Sequence, residues 1–408
     1  MVPNGWSLKL ISDTAKVITG NTPSTKDSSY YNGDIPFVSP ADLGANKLIS
    51  SANKTLTKKG FEKSRAVRKG STLFTCIGST IGKLGQANCE LATNQQINAV
   101  IPYSSFDDDF IYYQLEMRAK FISKLAGTQA VPIINKTTFE SQNLLVPDSL
   151  PEQRKIAQIL STWDRGIATT EKLIDASKQQ KKALMQQLLT GKKRLVDPET
   201  GKAFEGDWEE VKLDDLALYR RGSFPQPYGN PEWVDEVNGY PFIQVFDIDK
   251  NMKLKKATKT KISDAAIDKS VFIEAGTVIV SLQGSIGRVA ITQYDAYVDR
   301  TVLLFQSFKR KMDTIYFAYA IQELFEIEKE KAPGGTIKTI TKQVLSNFTI
   351  KVPTHYEQQK IASVLTAADK EIELLGTKLA HLKQEKKALM QQLLTGKRRV
   401  KVAETEAA

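Results

Sequence analysis

"KKALMQQLLTGK" occupies Lys181 to Lys192 and is spelled again, letter for letter, from Lys386 to Lys397, an offset of 386 − 181 = 205. Extended backwards without a gap, the match takes in "PEQRKIAQIL" (Pro151 to Leu160) against "YEQQKIASVL" (Tyr356 to Leu365). One structural element is therefore used twice in this chain of 408 residues.

The spacing of apolar residues says what that element is. In the first copy a four-and-three rhythm runs through Ile156, Leu160, Trp163, Ile167, Thr170, Ile174, Ser177, Lys181, Leu184 and Leu188. In the second it runs through Ile361, Leu365, Ala368, Ile372, Leu375, Leu379, Leu382, Lys386, Leu389 and Leu393. This is a heptad seam, interrupted by Thr, Ser and Lys in the first copy and nearly complete in the second. Both copies open after a proline-marked loop and close at Thr-Gly-Lys, where Gly191 and Gly396 suit left-handed caps. A helix of about 40 residues at about 1.5 Å per residue spans roughly 60 Å, and a single apolar stripe of that length cannot stay in water. Each copy needs a partner; the other copy, in antiparallel pairing, is the nearest one, and a second chain is the alternative.

The segments preceding the two helices echo each other more faintly. Trp6 and Gly20 match Trp208 and Gly222, and "IPFVSPADL" (Ile35 to Leu43) faces "YPFIQVFDI" (Tyr240 to Ile248). "STLFTCIGSTIGKLG" (Ser71 to Gly85) faces "TVIVSLQGSIGRVA" (Thr277 to Ala290), and "AGTQAVPIINKTTF" (Ala126 to Phe139) faces "GGTIKTITKQVL" (Gly334 to Leu345). In that last pair Asn135 and Thr341 read as N-caps of short helices with Phe139 and Leu345 packing beneath. Short β-branched and aromatic runs broken by Gly, Pro, Asn and Asp, with one longer helical stretch each, make both segments mixed α+β globules. The expected organisation is α+β: a globule at 1–150, a helix at 151–192, a linker at 193–206, a second globule at 207–353, a second helix at 354–400 and a tail at 401–408. The globules have diverged far more than the helices. The helices therefore serve something shared, and the globules different targets.

Composition narrows the targets. A formal charge of +11 and a pI near 9.3 favour a polyanionic partner, because each cation set on a phosphate releases counterions. The cations cluster: Lys58, Lys59, Lys63, Arg65, Arg68 and Lys69 in the first globule, and Lys250, Lys253, Lys255, Lys256, Lys259 and Lys261 in the second, read as patches at comparable positions. Gly82 and Gly287 introduce Lys83 and Arg288, each in a tight loop that serves either as an ordinary hairpin turn or as a phosphate contact. The spacing excludes a P-loop, which requires Gly-x4-Gly-Lys-Ser/Thr. Lys58, Lys59, Lys63, Arg65, Arg68, Lys83, Lys253, Lys255, Lys256 and Arg288 are the candidate DNA contacts. The basic runs "GKKRL" from Gly191 and "GKRRVK" from Gly396 suit either phosphates or the helix macrodipole.

Catalytic signatures are missing. His355 and His381 have no clustered partners, and no nucleophile elbow, HExxH, dinucleotide fingerprint or adenine-methylation motif is present, so neither a catalytic nor a metal residue is expected. Cys76 and Cys89 are expected as reduced thiols. With no apolar run of about 18 residues and no leader, neither a membrane span nor export is expected, and a cytoplasmic location follows.

This organisation resembles the specificity subunits of type I restriction-modification systems, over essentially the whole chain. The helix openings "EQRKIA" and "EQQKIA" and endings "LMQQLLTGK" carry the resemblance; the "IGK" loop at Ile81–Lys83 and the "IGR" loop at Ile286–Arg288 agree with it. It implies two target-recognition domains reading an asymmetric, two-part duplex DNA site across a gap set by the helices. It further implies that the chain is not itself the enzyme and binds no cofactor. Two methyltransferase subunits would bind S-adenosylmethionine and flip adenine, and two restriction subunits would use ATP and Mg to translocate and cleave DNA. Two other readings stay open: a coiled-coil scaffold with carbohydrate- or protein-binding globules, and a stand-alone nuclease or methyltransferase.

Overall fold

The computed structural model describes residues 2–44, 46–127, 131–331 and 345–402. The expected cap Thr341, most of the stretch from Gly334 and nearly all of the expected tail lie outside the described residues. The chain forms two compact units, and neither is a continuous stretch: one comprises Met1–Glu171 with Thr377–Ala408, the other Lys172–Gly376. The reason lies in the repeated element. It forms two helices, Leu150–Leu188 and His355–Leu393, and each contributes its first part to one unit and its last part to the other.

In the first unit a two-stranded ribbon pairs Trp6–Leu10 with Asn143–Pro147, joining the start of the globule to the strand that leads into the first long helix. A five-stranded sheet runs Ala15–Thr19, Ile97–Pro102, Thr72–Thr75, Leu84–Ala87, Leu48–Ile49. A four-stranded sheet runs Lys54–Leu56, Tyr31–Val38, Leu91–Thr93, Ala66–Val67, with Phe37 opposite Ala92 in its parallel pair. The helix Asp108–Ser123 begins at Asp107, whose carboxylate accepts from Phe110 N at 2.9 Å. The short helix Lys136–Glu140 begins at the expected cap Asn135, which accepts from Thr138 N, and Phe139 is buried below it.

The second unit repeats this plan. Glu209–Lys212 pairs with Thr349–Val352. One four-stranded sheet runs Ala217–Arg221, Val302–Phe308, Val278–Ser281, Val289–Ile291, and another Thr260–Ile262, Tyr240–Ile243, Ala296–Val298, Val271–Ile273. Its parallel pair sets Phe242 opposite Tyr297, the residues 205 positions after Phe37 and Ala92. The helix is Thr314–Lys331. In each unit apolar residues from sheet, globule helix and both long helices share one core: Phe110, Ile156, Leu160 and Leu393 in the first, Phe317, Leu188, Ile361 and Leu365 in the second.

The long helices end at Leu188 and Leu393, short of the expected 192 and 400, because Gly191 and Gly396 turn the chain at φ of +73° and +66°. A side chain at Gly396 would also collide, since its Cβ would stand 2.6 Å from Pro3 Cγ. Residues 193–206, expected as a linker, are ordered: Phe204 N donates to Leu195 O and Asp197 N to Lys202 O, and Phe204 packs edge-on against Tyr356. Both cysteines are free, and burial raises the Cys76 thiol to about 12. Among the described residues no helix is long and apolar enough to cross a membrane, and no cluster of His, Cys, Asp and Glu could hold a metal ion.

Candidate nucleic-acid interface and helix seam

Every position of the heptad rhythm is buried or half-buried: Ile156, Leu160, Ile174, Leu188, Ile361, Leu365 and Leu393 are buried, and Trp163, Ile167, Leu184, Ile372, Leu375, Leu379, Leu382 and Leu389 half-buried. The lysines that interrupt the rhythm are accounted for as well. In the first unit Lys386 Nζ lies 2.7 Å from Asp164 and 3.0 Å from Glu116, beneath the ring of Tyr113, whose hydroxyl donates to Asp164. In the second, Lys181 lies 2.6 Å from Asp369 and beneath Tyr319, whose hydroxyl donates to Asp369. Asp369 follows Asp164 by 205 positions, as Lys386 follows Lys181. Burial works against the charge of Lys386, but Glu116 and Asp164 outweigh it and hold the ammonium above its ordinary range. Because Asp164 lies early in one helix and Lys386 late in the other, and likewise Asp369 and Lys181, the helix segments within each unit run antiparallel.

The repeated "EQ" has the same kind of explanation. Glu152 and Glu357 are buried, and each is forked by an arginine just past the end of the other helix: Arg399 to Glu152 at 2.7 Å through both Nε and Nη2, Arg194 to Glu357 at 2.7 and 2.8 Å. Gln153 and Gln358 accept from Asp107 N and Asp313 N, at the head of each globule helix, and donate to Pro147 O and Pro353 O. Arg194 and Arg399 therefore hold their own unit together; sequence reasoning weighed them only as phosphate contacts or dipole partners. The signal was present, since Glu and Arg both recur at the 205-residue offset.

The seams differ most in side-chain volume at one place. Where the first unit has Trp163 and Leu382, the second has Ala368 and Ser177, and there a groove of about 220 Å³ opens, lined by Ser177, Gln180, Lys181, Leu184, Val364, Ala367, Ala368 and Glu371.

The glycine loops are built alike. Gly82 N donates to Thr75 O and Gly287 N to Ser281 O. Both glycines have positive φ and lie against the globule helix, so that a Cβ would stand 3.4 Å from Ala119 O in one and 2.8 Å from Phe325 in the other. Lys83 and Arg288 follow, both exposed; the stem of Lys83 lies along Gly44, and Arg288 donates to Ile248 O. Beside each loop are two turns. A 3-10 turn begins at Ser39 or Gln244, whose backbone N–H donates to Asp42 or Asp247. An Asx turn is capped by Asn94 or Asp299, the carbonyl of its last residue, Gln96 or Thr301, accepting from Cys76 N or Leu282 N in the glycine loop.

The remaining candidate cations are all exposed but distributed differently. Lys58 and Lys59 open the short helix Lys58–Glu62 and Lys63 closes it; Lys59 lies above Tyr30. Arg65 donates to Thr19 O, and Arg68 forks Asp108 at 2.7 and 2.8 Å, so both guanidinium groups already serve the fold. In the second unit Lys253 pairs with Glu373, Lys255 and Lys259 lie over the exposed ring of Phe246, and Lys256 is exposed. The two patches are not at comparable positions. The first follows strand Lys54–Leu56, whereas the second, Lys261 apart, precedes its counterpart Thr260–Ile262; the true counterpart of the first is the turn Asp264–Lys269. The two patches sit in different loops of the common plan, so matching lysine density across the repeat misaligned them.

A model of the type I restriction modification DNA specificity domain matches residues 3–178 and 205–384. The chain is 26% identical over 419 residues to the type I restriction enzyme MjaVIII specificity subunit of Methanocaldococcus jannaschii, covering 98% of this chain and 94% of that one. It is 30% identical over 151 residues, 36% of this chain and 33% of the relative, to the HindI specificity subunit of Haemophilus influenzae. Among solved structures, the type I restriction-modification S subunit of M. genitalium superposes with a TM-score of 0.57 at 14% identity, covering 96% and 97% of the two chains. A chain from a study of complex assembly and conformational transition of the type I R-M system gives 0.63 at 17% identity, covering 98% and 100%.

Proposed function

Since the chain belongs to the family of type I restriction-modification DNA specificity proteins, we propose that it is the sequence-recognition subunit of such a complex, each unit's globule serving as a target-recognition domain for one half of an asymmetric duplex site. The observation that carries this reading is the duplicated set of a glycine loop ending in an exposed cation, flanked by the same two turns, on globules whose outward residues differ. Phosphate contacts from Lys83, Arg288, Lys58, Lys63, Lys255 and Lys256 position each globule, while differing side chains on the turns give each half-site its own sequence.

The two long helices set the unread gap between half-sites, and their faces turned away from the seam dock two methyltransferase subunits. Two restriction subunits complete the assembly. Methyl transfer with S-adenosylmethionine, and ATP-driven translocation and cleavage with Mg, belong to those partners, and the chain works with them in the cytoplasm. Selection of bound duplexes from a randomised pool, with the chain alone and with its methyltransferase partner, tests this. A two-part asymmetric motif with a fixed gap is expected; no motif in either condition returns the chain to a scaffold role.

A further inference from the structure

The Asx turn beside each glycine loop exposes one side chain at its tip, and the two units differ there in a way that matters chemically. In the first unit the tip is Gln95, between Asn94 and Gln96; in the second it is Arg300, between Asp299 and Thr301. The turns are equivalent by geometry as well as by offset: Asn94 N donates to Val38 O and Asp299 N to Ile243 O, and the glycine loop hydrogen-bonds to the residue after the tip in both. Both tips are exposed. Neither is free to wander. Gln95 Oε1 accepts from Thr22 Oγ1 at 2.7 Å and keeps a second lone pair, and the Arg300 guanidinium lies 5.3 Å from the ring of Tyr228. Tyr228 is held in turn by Gln244 Nε2, and Gln244 by Thr260 Oγ1.

Resting on the recognition reading above, we propose that the tip position 95/300 reads a base in the major groove, Gln95 for one half-site and Arg300 for the other. The amide of Gln95 matches the N6/N7 edge of adenine, and the fork of Arg300 matches the O6/N7 edge of guanine. The cation beside each tip, Lys83 or Arg288, sets the phosphate register that brings the tip to the groove. The contact of Arg300 with the Tyr228 ring narrows its side-chain freedom before DNA arrives, which lowers the entropy lost on contact.

The test compares full-length wild type, Arg300→Gln, Arg300→Lys and Gln95→Arg, each with the methyltransferase partner, by selection from a randomised duplex pool and by affinity for the wild-type site and its single-base variants. Expected for Arg300→Gln is loss of a guanine preference at one position of one half-site, with discrimination there falling about tenfold or more, while the other half-site and the gap are unchanged. Arg300→Lys keeps the charge but loses the fork, and loses the same preference. Gln95→Arg shifts one position of the opposite half-site towards guanine. The proposal is overturned if wild type selects a motif and the variants select the same one, or if Arg300→Gln weakens all sequences equally, as a phosphate contact would. A wild-type selection without a motif overturns the recognition reading itself and this proposal with it.

Discussion

Lys386 Nζ stands 2.7 Å from Asp164, and both side chains are mostly shielded from water, at 13% and 22% exposure. The same pair recurs in the other unit as Lys181 and Asp369, so one lysine of the duplicated twelve-residue stretch fixes the antiparallel register twice. Removing one partner strands the other's charge. Asp369→Asn is expected to destabilise its unit by about 2 to 3 kcal/mol, somewhat below the ~3–5 kcal/mol of a fully buried pair, as read by urea unfolding. Exchanging the charges with Lys181→Asp and Asp369→Lys recovers part of the loss. The same exchange in the first unit recovers less, because Glu116 would then face an aspartate at 386.

The groove around Ala368 and Ser177 predicts a gain. Ser177→Leu, which copies Leu382 of the other seam, is expected to raise the unfolding free energy by about 1 kcal/mol by burying new methyl and methylene groups. A change of the same sign in thermal midpoint checks it, and a loss would mean that the groove cannot accept the side chain.

Asp107 caps the globule helix from a half-buried position, and partial burial holds its carboxyl above the ordinary carboxylate range. A raised value means that the folded protein binds this proton more tightly than the unfolded chain. Its contribution to stability therefore improves as pH falls from the folded value towards the unfolded value of 3.8 and is worst at neutral pH. Asp107→Asn keeps the acceptor for Phe110 N and removes the charge, so at pH 7 it should be at least as stable as wild type, with a flatter profile on acidification. Asp107→Ala should lose about 1 kcal/mol in acid, where the cap is protonated, and less at neutral pH, where the half-buried charge offsets the cap.

Lys83 and Arg288 are proposed as phosphate contacts. Replacing either with Ala should lower affinity for every DNA sequence alike and reduce the slope of log affinity against log salt by about one. Fluorescence anisotropy across a salt series reads this, and a sequence-dependent loss would contradict it.

The repeat made the long helices and the two-globule plan legible, because identical letters at a fixed offset need no tertiary information. What the repeat could not show was the use of its polar letters. Lys181, Lys386, Arg194 and Arg399 looked like lapses in a heptad or like basic ends, since each partner lies on the opposite helix, far away in sequence. The charged patches misled for another reason: the two lysine-rich runs lie on different sides of the equivalent strand, so residue density does not mark equivalent positions. The division into units, with each long helix shared, follows from antiparallel pairing but not from reading the chain in order.

The central claim is that paired helices of fixed length set the distance between two reading globules, and shortening both helices tests it most directly. Deleting Thr169–Lys172 and the equivalent Leu374–Thr377 removes about one turn, roughly 6 Å, from each helix. At about 3.4 Å per base pair, the gap between the selected half-sites should shrink by one or two pairs, with both half-site sequences retained. A folded deletion variant that selects the wild-type gap would contradict the account.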